Sequence, residues 1–192
     1  IKEIKNYIIV VAADCTGHGV PGAFMSMLGI AFLNELVGKT QLDSPGEILN
    51  KLRKKVKNTL SQEGKLYEQK DGMDLALVMI NKENMELQFA GAFNPLYLAV
   101  EGSQQRDEIE EFFSMKNGEF RLYDFKADRQ PIGIYTEEFD FTSRTIKLKK
   151  NDVFYLFSDG FTDQIGGPKG KKFMSKKFKM TLLDIQRLSM QD

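Results

Sequence analysis

Two aspartates in this chain stand where an apolar run meets glycine. Tyr7-Ile8-Ile9-Val10-Val11-Ala12-Ala13 ends in Asp14-Cys15-Thr16-Gly17-His18-Gly19-Val20-Pro21-Gly22-Ala23-Phe24, and Val153-Phe154-Tyr155-Leu156-Phe157-Ser158 runs into Asp159-Gly160. A short β-branched or aromatic run bounded by glycine reads as a buried strand. Each carboxylate is therefore delivered by a strand to a turn in which glycine lets backbone atoms approach a ligand. A carboxylate at the end of a core strand is costly unless a cation neutralises it. Oxygen donors of this kind suit a hard divalent metal. Taken singly, Asp14 and Asp159 read equally well as turn or cap residues; their shared context favours metal. Asp163 lies one helical turn beyond Asp159 and could serve a further ion, with a solvated surface aspartate as the competing reading.

The other reactive residues fit less well. His18 is the only histidine, which excludes a multi-histidine zinc site and leaves it as a turn-shaping or supporting residue. No Gly-x-Ser-x-Gly elbow offers a serine nucleophile. Cys15 lacks the arginine six positions on that cysteine-dependent phosphatases use, since Pro21 stands there, and an aspartate nucleophile would want a second aspartate where Thr16 stands. Gly166-Gly167-Pro168-Lys169-Gly170-Lys171 is followed by Lys172 and fails the phosphate-loop pattern, which disfavours a nucleotide-binding enzyme. The cluster Lys169, Lys171, Lys172, Lys176, Lys177 and Lys179 reads first as a solvated face and second as a dock for an acidic or phosphorylated partner.

The elements that must hold Asp14 and Asp159 alternate in kind. A helix opens near Pro21 and runs to Val37, with apolar residues around most of its circumference, so it is expected to be deeply buried or to pack on a second surface as well. Ser44-Pro45-Gly46-Glu47 reads as a capping box for a second, amphipathic helix carrying Ile48, Leu52, Val56 and Leu60. Strands are expected at 74–80, 85–90, 96–100, 120–125, 139–141, 145–148 and 153–158, with a last helix over 175–190. The polar stretch 101–118 reads as an insertion that Ile109, Phe112 and Phe113 could anchor. Helices between strands of a mainly antiparallel system give an α+β fold of sheet and helix layers.

Composition bounds the function. The 192 residues suit one domain, and 27 basic against 27 acidic side chains leave no net charge to recruit nucleic acid or an acidic membrane. One cysteine excludes an internal disulfide and fits a reducing, cytoplasmic setting. No apolar run reads as membrane-spanning, so direct insertion of this domain is not expected, although a parent protein attached to a membrane is compatible. The first residue is Ile1, which points to a piece of a longer protein.

The segment Asp14 to Ala23 resembles the Asp-x-x-Gly-His-Gly-x-Pro-(Gly/Ala)-Ala signature of the SpoIIE-type phosphatases, a bacterial branch of the metal-dependent PPM serine/threonine phosphatases. Gly72-Met73-Asp74-Leu75-Ala76-Leu77, Ala90-Gly91-Ala92-Phe93-Asn94-Pro95-Leu96, Gln130-Pro131-Ile132-Gly133 and Phe157-Ser158-Asp159-Gly160-Phe161-Thr162-Asp163 match later blocks in order. The resemblance implies two packed antiparallel sheets flanked by helices in α-β-β-α layers, with two manganese or magnesium ions in a cleft at one end. It implies that Asp14 bridges the ions, the Cys15 carbonyl completes one sphere, Asp159 ligates the other and Asp163 binds a weaker extra ion. Metal-activated water would then hydrolyse phosphoserine or phosphothreonine directly on a bacterial signalling protein such as an anti-sigma-factor antagonist.

Family members also carry an upstream Gly-Gly-Asp block and a downstream Asp-Asp block that these 192 residues lack. The fold is therefore expected to be incomplete, with weak or partial metal binding, and a non-catalytic phosphatase-like binding module is the rival reading. Sensor or receiver domains in the parent chain, regulation through the first two helices and a homodimer through the first helix are further expectations.

Overall fold

The computed structural model describes residues 1–38, 42–62, 71–102, 106–166 and 170–188. In chain order the elements are β1 (Lys2–Ile4), β2 (Tyr7–Cys15), α1 (Gly19–Val37), α2 (Pro45–Thr59), β3 (Met73–Asn81), β4 (Glu86–Ala92), β5 (Leu96–Glu101), a 3-10 turn (Asp107–Phe112), β6 (Phe113–Asn117), β7 (Phe120–Phe125), β8 (Arg144–Lys147), β9 (Val153–Leu156), β10 (Ile165–Gly166), β11 (Lys171–Lys172) and α3 (Ser175–Asp184). Two antiparallel sheets result, one in the order β1-β2-β3-β4-β8 and the other β6-β7-β5-β9, with β10 and β11 forming a separate hairpin.

Side-chain alternation along β3 assigns the layers. Met73, Leu75, Leu77 and Met79 join the core under the helices, with Ile48, Leu49, Leu52 and Val56 of α2. Ala76, Val78 and Ile80 point the other way, into the core between the sheets, where they meet Leu96, Leu98, Val100, Tyr123 and Phe125. Phe178, Leu182 and Leu183 of α3 close the outer face of the second sheet over Tyr97, Ala99 and Leu122. These are the expected α-β-β-α layers of an α+β sandwich.

The capping box forms as read. The Ser44 hydroxyl accepts from the Glu47 backbone N–H, the Glu47 carboxylate accepts from the Ser44 N–H at 3.1 Å, and Pro45 takes the first helical position. Ser44→Ala should cost about 1 kcal/mol, read as a lower urea midpoint with an unchanged slope; no loss would mean that the buried face of α2 alone fixes its start.

Several expectations shift. Only Ile9 of β2 is buried, because β1 pairs with no more than Tyr7, Ile8 and Ile9, so β2 is a half-covered strand rather than a core one. Helix α1 buries Met25, Gly29, Leu36 and Val37 and leaves Val20, Phe24, Met27 and Ile30 exposed as a stripe, so it is not deeply buried. By length and composition its 19 residues suffice to cross a membrane, contrary to the sequence reading, yet in this fold it packs on α2 and β2. Residues 139–141 form no strand. Their backbone N–H groups go to side chains instead: Phe139 to Gln130 Oε1, Phe141 to Asn50 Oδ1 and, just beyond, Thr142 to Asp128 Oδ2. In the stretch 101–118, Ile109 is buried and Phe112 packs on Phe125 at 4.5 Å, whereas Phe113 is exposed and makes only surface contacts, edge-on to Tyr123 at 6.2 Å and beneath the Arg121 guanidinium at 4.3 Å. Helix α3 gives way at Ile185 to a 3-10 turn ending at Arg187, and the expected final residues at 189 and 190 lie outside the described residues.

Candidate metal centre

The β2–β3 register sets Asp14 directly opposite Asp74, with Ala13 opposite Leu75 and Cys15 opposite Met73. Cross-strand partners point to the same face, and Asp74 shares the parity of Ala76 and Val78. The two carboxylates therefore stand side by side on the face that meets the second sheet, at its open end. Thr16 carries the ladder one rung further: its N–H donates to the Gly72 carbonyl at 3.0 Å, and its hydroxyl accepts from the Gly72 N–H at 2.9 Å. Beyond it the chain reverses through Gly17 and Gly19, both at positive φ, and a Cβ on Gly22 would lie 2.8 Å from the Gly17 carbonyl oxygen. This close approach lets α1 start five residues after Asp14.

Asp159 arrives from the other sheet. β9 pairs with β5, Leu156 opposite Leu96, and the chain then turns so that the Asp159 carbonyl accepts from both the Asp163 N–H and the Thr162 hydroxyl at 2.9 Å. Phe161 meets Phe173 edge-on and packs at a tilt on Phe178, tying this turn to the β10–β11 hairpin and α3.

Asp74 was not singled out from the sequence as a site residue. Its pKa is pushed up to about 6, first by burial and then by the charges of Asp159 and Asp14, one from each sheet. Among the described residues no lysine or arginine pairs with Asp14, Asp74 or Asp159. Asp14 and Asp159 are exposed and Asp74 is half-buried, so the burial cost expected of the strand-end aspartates falls on Asp74; oxygen donors so placed suit a hard divalent ion. Among the described residues they do not close into a ready-made cage of three acidic, histidine or cysteine side chains.

The other expected residues fall around this cluster. Cys15 is a half-buried free thiol at the end of β2, and His18 is an exposed residue at the N-cap of α1 with no capping hydrogen bond from its side chain. The Asp163 carboxylate pairs with Lys172 at 2.6 Å. Lys171, Lys176 and Lys177 are exposed, whereas the Lys179 ammonium is mostly buried against Asp124 at 2.5 Å; Lys169 lies outside the described residues.

Asp74 makes stability depend on pH. Its folded-state value of about 6 lies above the ordinary 3.8, so the folded state binds the proton more tightly and loses stability as pH rises from about 4 through 6. In metal-free protein Asp74→Asn should therefore be more stable than the parent by about 1–2 kcal/mol at pH 7.5, after discounting for solvent screening of a half-buried group. The gap should close at pH 4. Denaturant titrations in chelator at both pH values test this, and an equal gap at the two would exclude the titration of Asp74 as its source.

Two facing antiparallel sheets between helices, with acidic residues from both sheets at one shared end, define the fold of the PPM metal-dependent phosphatases. The chain belongs to the Stage II sporulation protein E (SpoIIE) family, whose sequence profile matches residues 5–192. The SiaA-PP2C domain of Pseudomonas aeruginosa has 28% identity and a TM-score of 0.75 over 97% of this chain and 65% of that one. The PP2C phosphatase domain of SpoIIE from Bacillus subtilis, with a fragment of its regulatory domain, has 19% identity and a TM-score of 0.63 over 97% and 44%. RsbX in complex with magnesium has 13% identity and a TM-score of 0.53 over 100% and 79%. The chain thus spans less than two thirds of the length of the first two. No curated protein matches it significantly.

Proposed function

We propose that this chain is the phosphatase unit of a bacterial cytoplasmic signalling protein and hydrolyses phosphoserine or phosphothreonine on a partner protein. The observation that carries this reading is that Asp14 stands opposite Asp74 and that Asp159 acts on Asp74 from the other sheet, with no lysine or arginine paired to any of the three among the described residues. A bound pair of manganese or magnesium ions would supply phosphoryl charge neutralisation and an activated water. Asp14 and Asp159 would hold the ions from the two sheets, with the Cys15 carbonyl beside Asp14. Asp163 is a candidate for a further ion only when Lys172 releases it. Asp74 gives up its proton as a cation enters, so metal affinity should rise with pH through about 6.

The rival reading, a phosphatase-like module that binds without hydrolysis, draws on the open donor set among the described residues. Regulation would act through α1, which begins four residues after Asp14's neighbour Cys15 and whose stripe of Val20, Phe24, Met27 and Ile30 offers a surface to a second copy of the chain or to a sensor or receiver domain.

The test is manganese-dependent phosphate release from a phosphoserine peptide, by the 192-residue chain and by a version carrying further sequence at both ends. Turnover in either supports the phosphatase. Manganese binding without turnover in both would select the binding module.

A further inference from the structure

The acidic end of the cleft offers no attraction of its own to a phosphorylated protein, since the charges of Asp14, Asp74 and Asp159 repel a phosphoester until cations arrive. Bound cations would attract any phosphate alike. Recognition of a polypeptide therefore needs an uncharged surface beside the carboxylates.

The connection between β4 and β5 provides one. It crosses from one sheet to the other at the site: Ala92, the last residue of β4, is paired with Leu75, the residue after Asp74, and Phe93 follows it, while Leu96 is paired with Leu156, three residues before Asp159. Phe93 is 41% exposed and adopts φ +58, a left-handed conformation that a bulky side chain rarely occupies. The strain is imposed from both sides, by the Phe93 N–H donating to the Asp128 carbonyl at 2.9 Å and the Asn94 N–H to the Ala92 carbonyl at 2.7 Å. Asn94 adds a second cost, because its buried Nδ2 finds no hydrogen-bond partner among the described residues. Two local costs at one dipeptide beside the carboxylates mark a position held for a purpose other than stability.

The exposed ring has a fixed companion. Tyr135, also 41% exposed, meets Phe93 edge-on with centroids 6.0 Å apart and planes at 81°. Its segment is pinned at Ile132, which exchanges both backbone hydrogen bonds with Met73, the residue before Asp74. Both rings are thus anchored to the strands that deliver the site, and neither must be ordered when a ligand arrives.

We propose that Phe93 and Tyr135 form an aromatic platform on which the polypeptide flanking the phosphorylated residue packs. The proposal rests on the phosphatase reading for its ligand, and it assigns peptide recognition to these two side chains. The probe is a fluorescein-labelled phosphoserine peptide, followed by polarisation in calcium and by steady-state hydrolysis in manganese, with free phosphoserine as the small substrate. Phe93→Ala and Tyr135→Ala should each weaken peptide binding and raise the peptide KM about 10-fold. Their kcat/KM for free phosphoserine should stay within about 2-fold, and Tyr135→Phe should behave as the parent, because the ring rather than the hydroxyl makes the surface. Phe93→Gly should weaken binding equally while raising the melting temperature, since glycine relieves the strained φ. Equal peptide binding by parent and variants, no binding by the parent, or a matching loss on free phosphoserine would overturn the platform. Peptide binding without turnover, still sensitive to Phe93, would keep the platform and sink the phosphatase reading.

Discussion

Asp152→Ala should lower stability by about 2–3 kcal/mol, the penalty for removing the buried partner of a buried, charged hydrogen bond. The group left short of a partner is Arg106, whose side chain is 0% exposed and whose Nη1 donates to Asp152 Oδ2 at 2.8 Å, while the Asp152 side chain is itself 2% exposed. Its Nε and Nη2 donate to the Glu108 carboxylate and the Lys147 carbonyl, and Asp152 Oδ2 also accepts from the Lys149 N–H at 2.9 Å. One arginine thus pins the 3-10 turn over Asp107–Phe112 to the connection between β8 and β9, the strand that leads to Asp159. A guanidinium cannot escape by losing its proton. Removing Asp152 therefore leaves the buried guanidinium with the half-exposed Glu108 as its remaining carboxylate partner, whereas the double variant Arg106→Met with Asp152→Leu should recover most of the loss. Urea denaturation of the two variants checks both statements. A loss within about 1 kcal/mol for Asp152→Ala would show that water reaches Arg106 on relaxation.

The sequence legibly announces what repeats along one element and hides what depends on register or on partners far away. The β3 strand was readable because its apolar run is bounded by turn residues, and the second helix because Ser44, Pro45 and Glu47 are local signals. Asp14 and Asp159 were readable because each ends an apolar run at glycine. Asp74 stood in a quoted motif, yet its role comes from lying opposite Asp14, a pairing set by the β2–β3 register. The available clue was parity: Asp74 falls in step with Ala76, Val78 and Ile80, which face the other sheet. Arg106 sits in a polar stretch that composition reads as solvated, and its partner Asp152 is 46 residues away. Residues 139–141 have the pattern of a strand but find side-chain acceptors, because buried Gln130, held by Arg53 at 2.7 Å, turns its amide toward them. Phe93 carries no sequence signal of its positive φ, since the constraint comes from the backbone of Asp128.

Asp14→Asn should lower manganese-dependent turnover of a phosphoserine peptide by at least about 100-fold, because it removes one full charge from the group expected to hold the ions and aim the attacking water. Asp159→Asn should do the same from the opposite sheet. The sharper signature lies in the metal-free protein. Asp14 and Asp159 both raise the pKa of Asp74, with burial the larger cause, so either substitution should move the Asp74 midpoint from about 6 part of the way toward the ordinary 3.8 and no further. A carboxylate titration followed by NMR reads that shift directly. Each variant should also melt no lower than the parent in chelator, since a repelling charge has been removed, and should lose the upward shift that manganese gives the parent. Stability kept or gained while metal response and turnover disappear is what a charge cluster held for catalysis must show. A melting temperature that falls together with activity would instead identify these aspartates as props of the sheet ends, with Asp14 and Asp74 paired for structure alone.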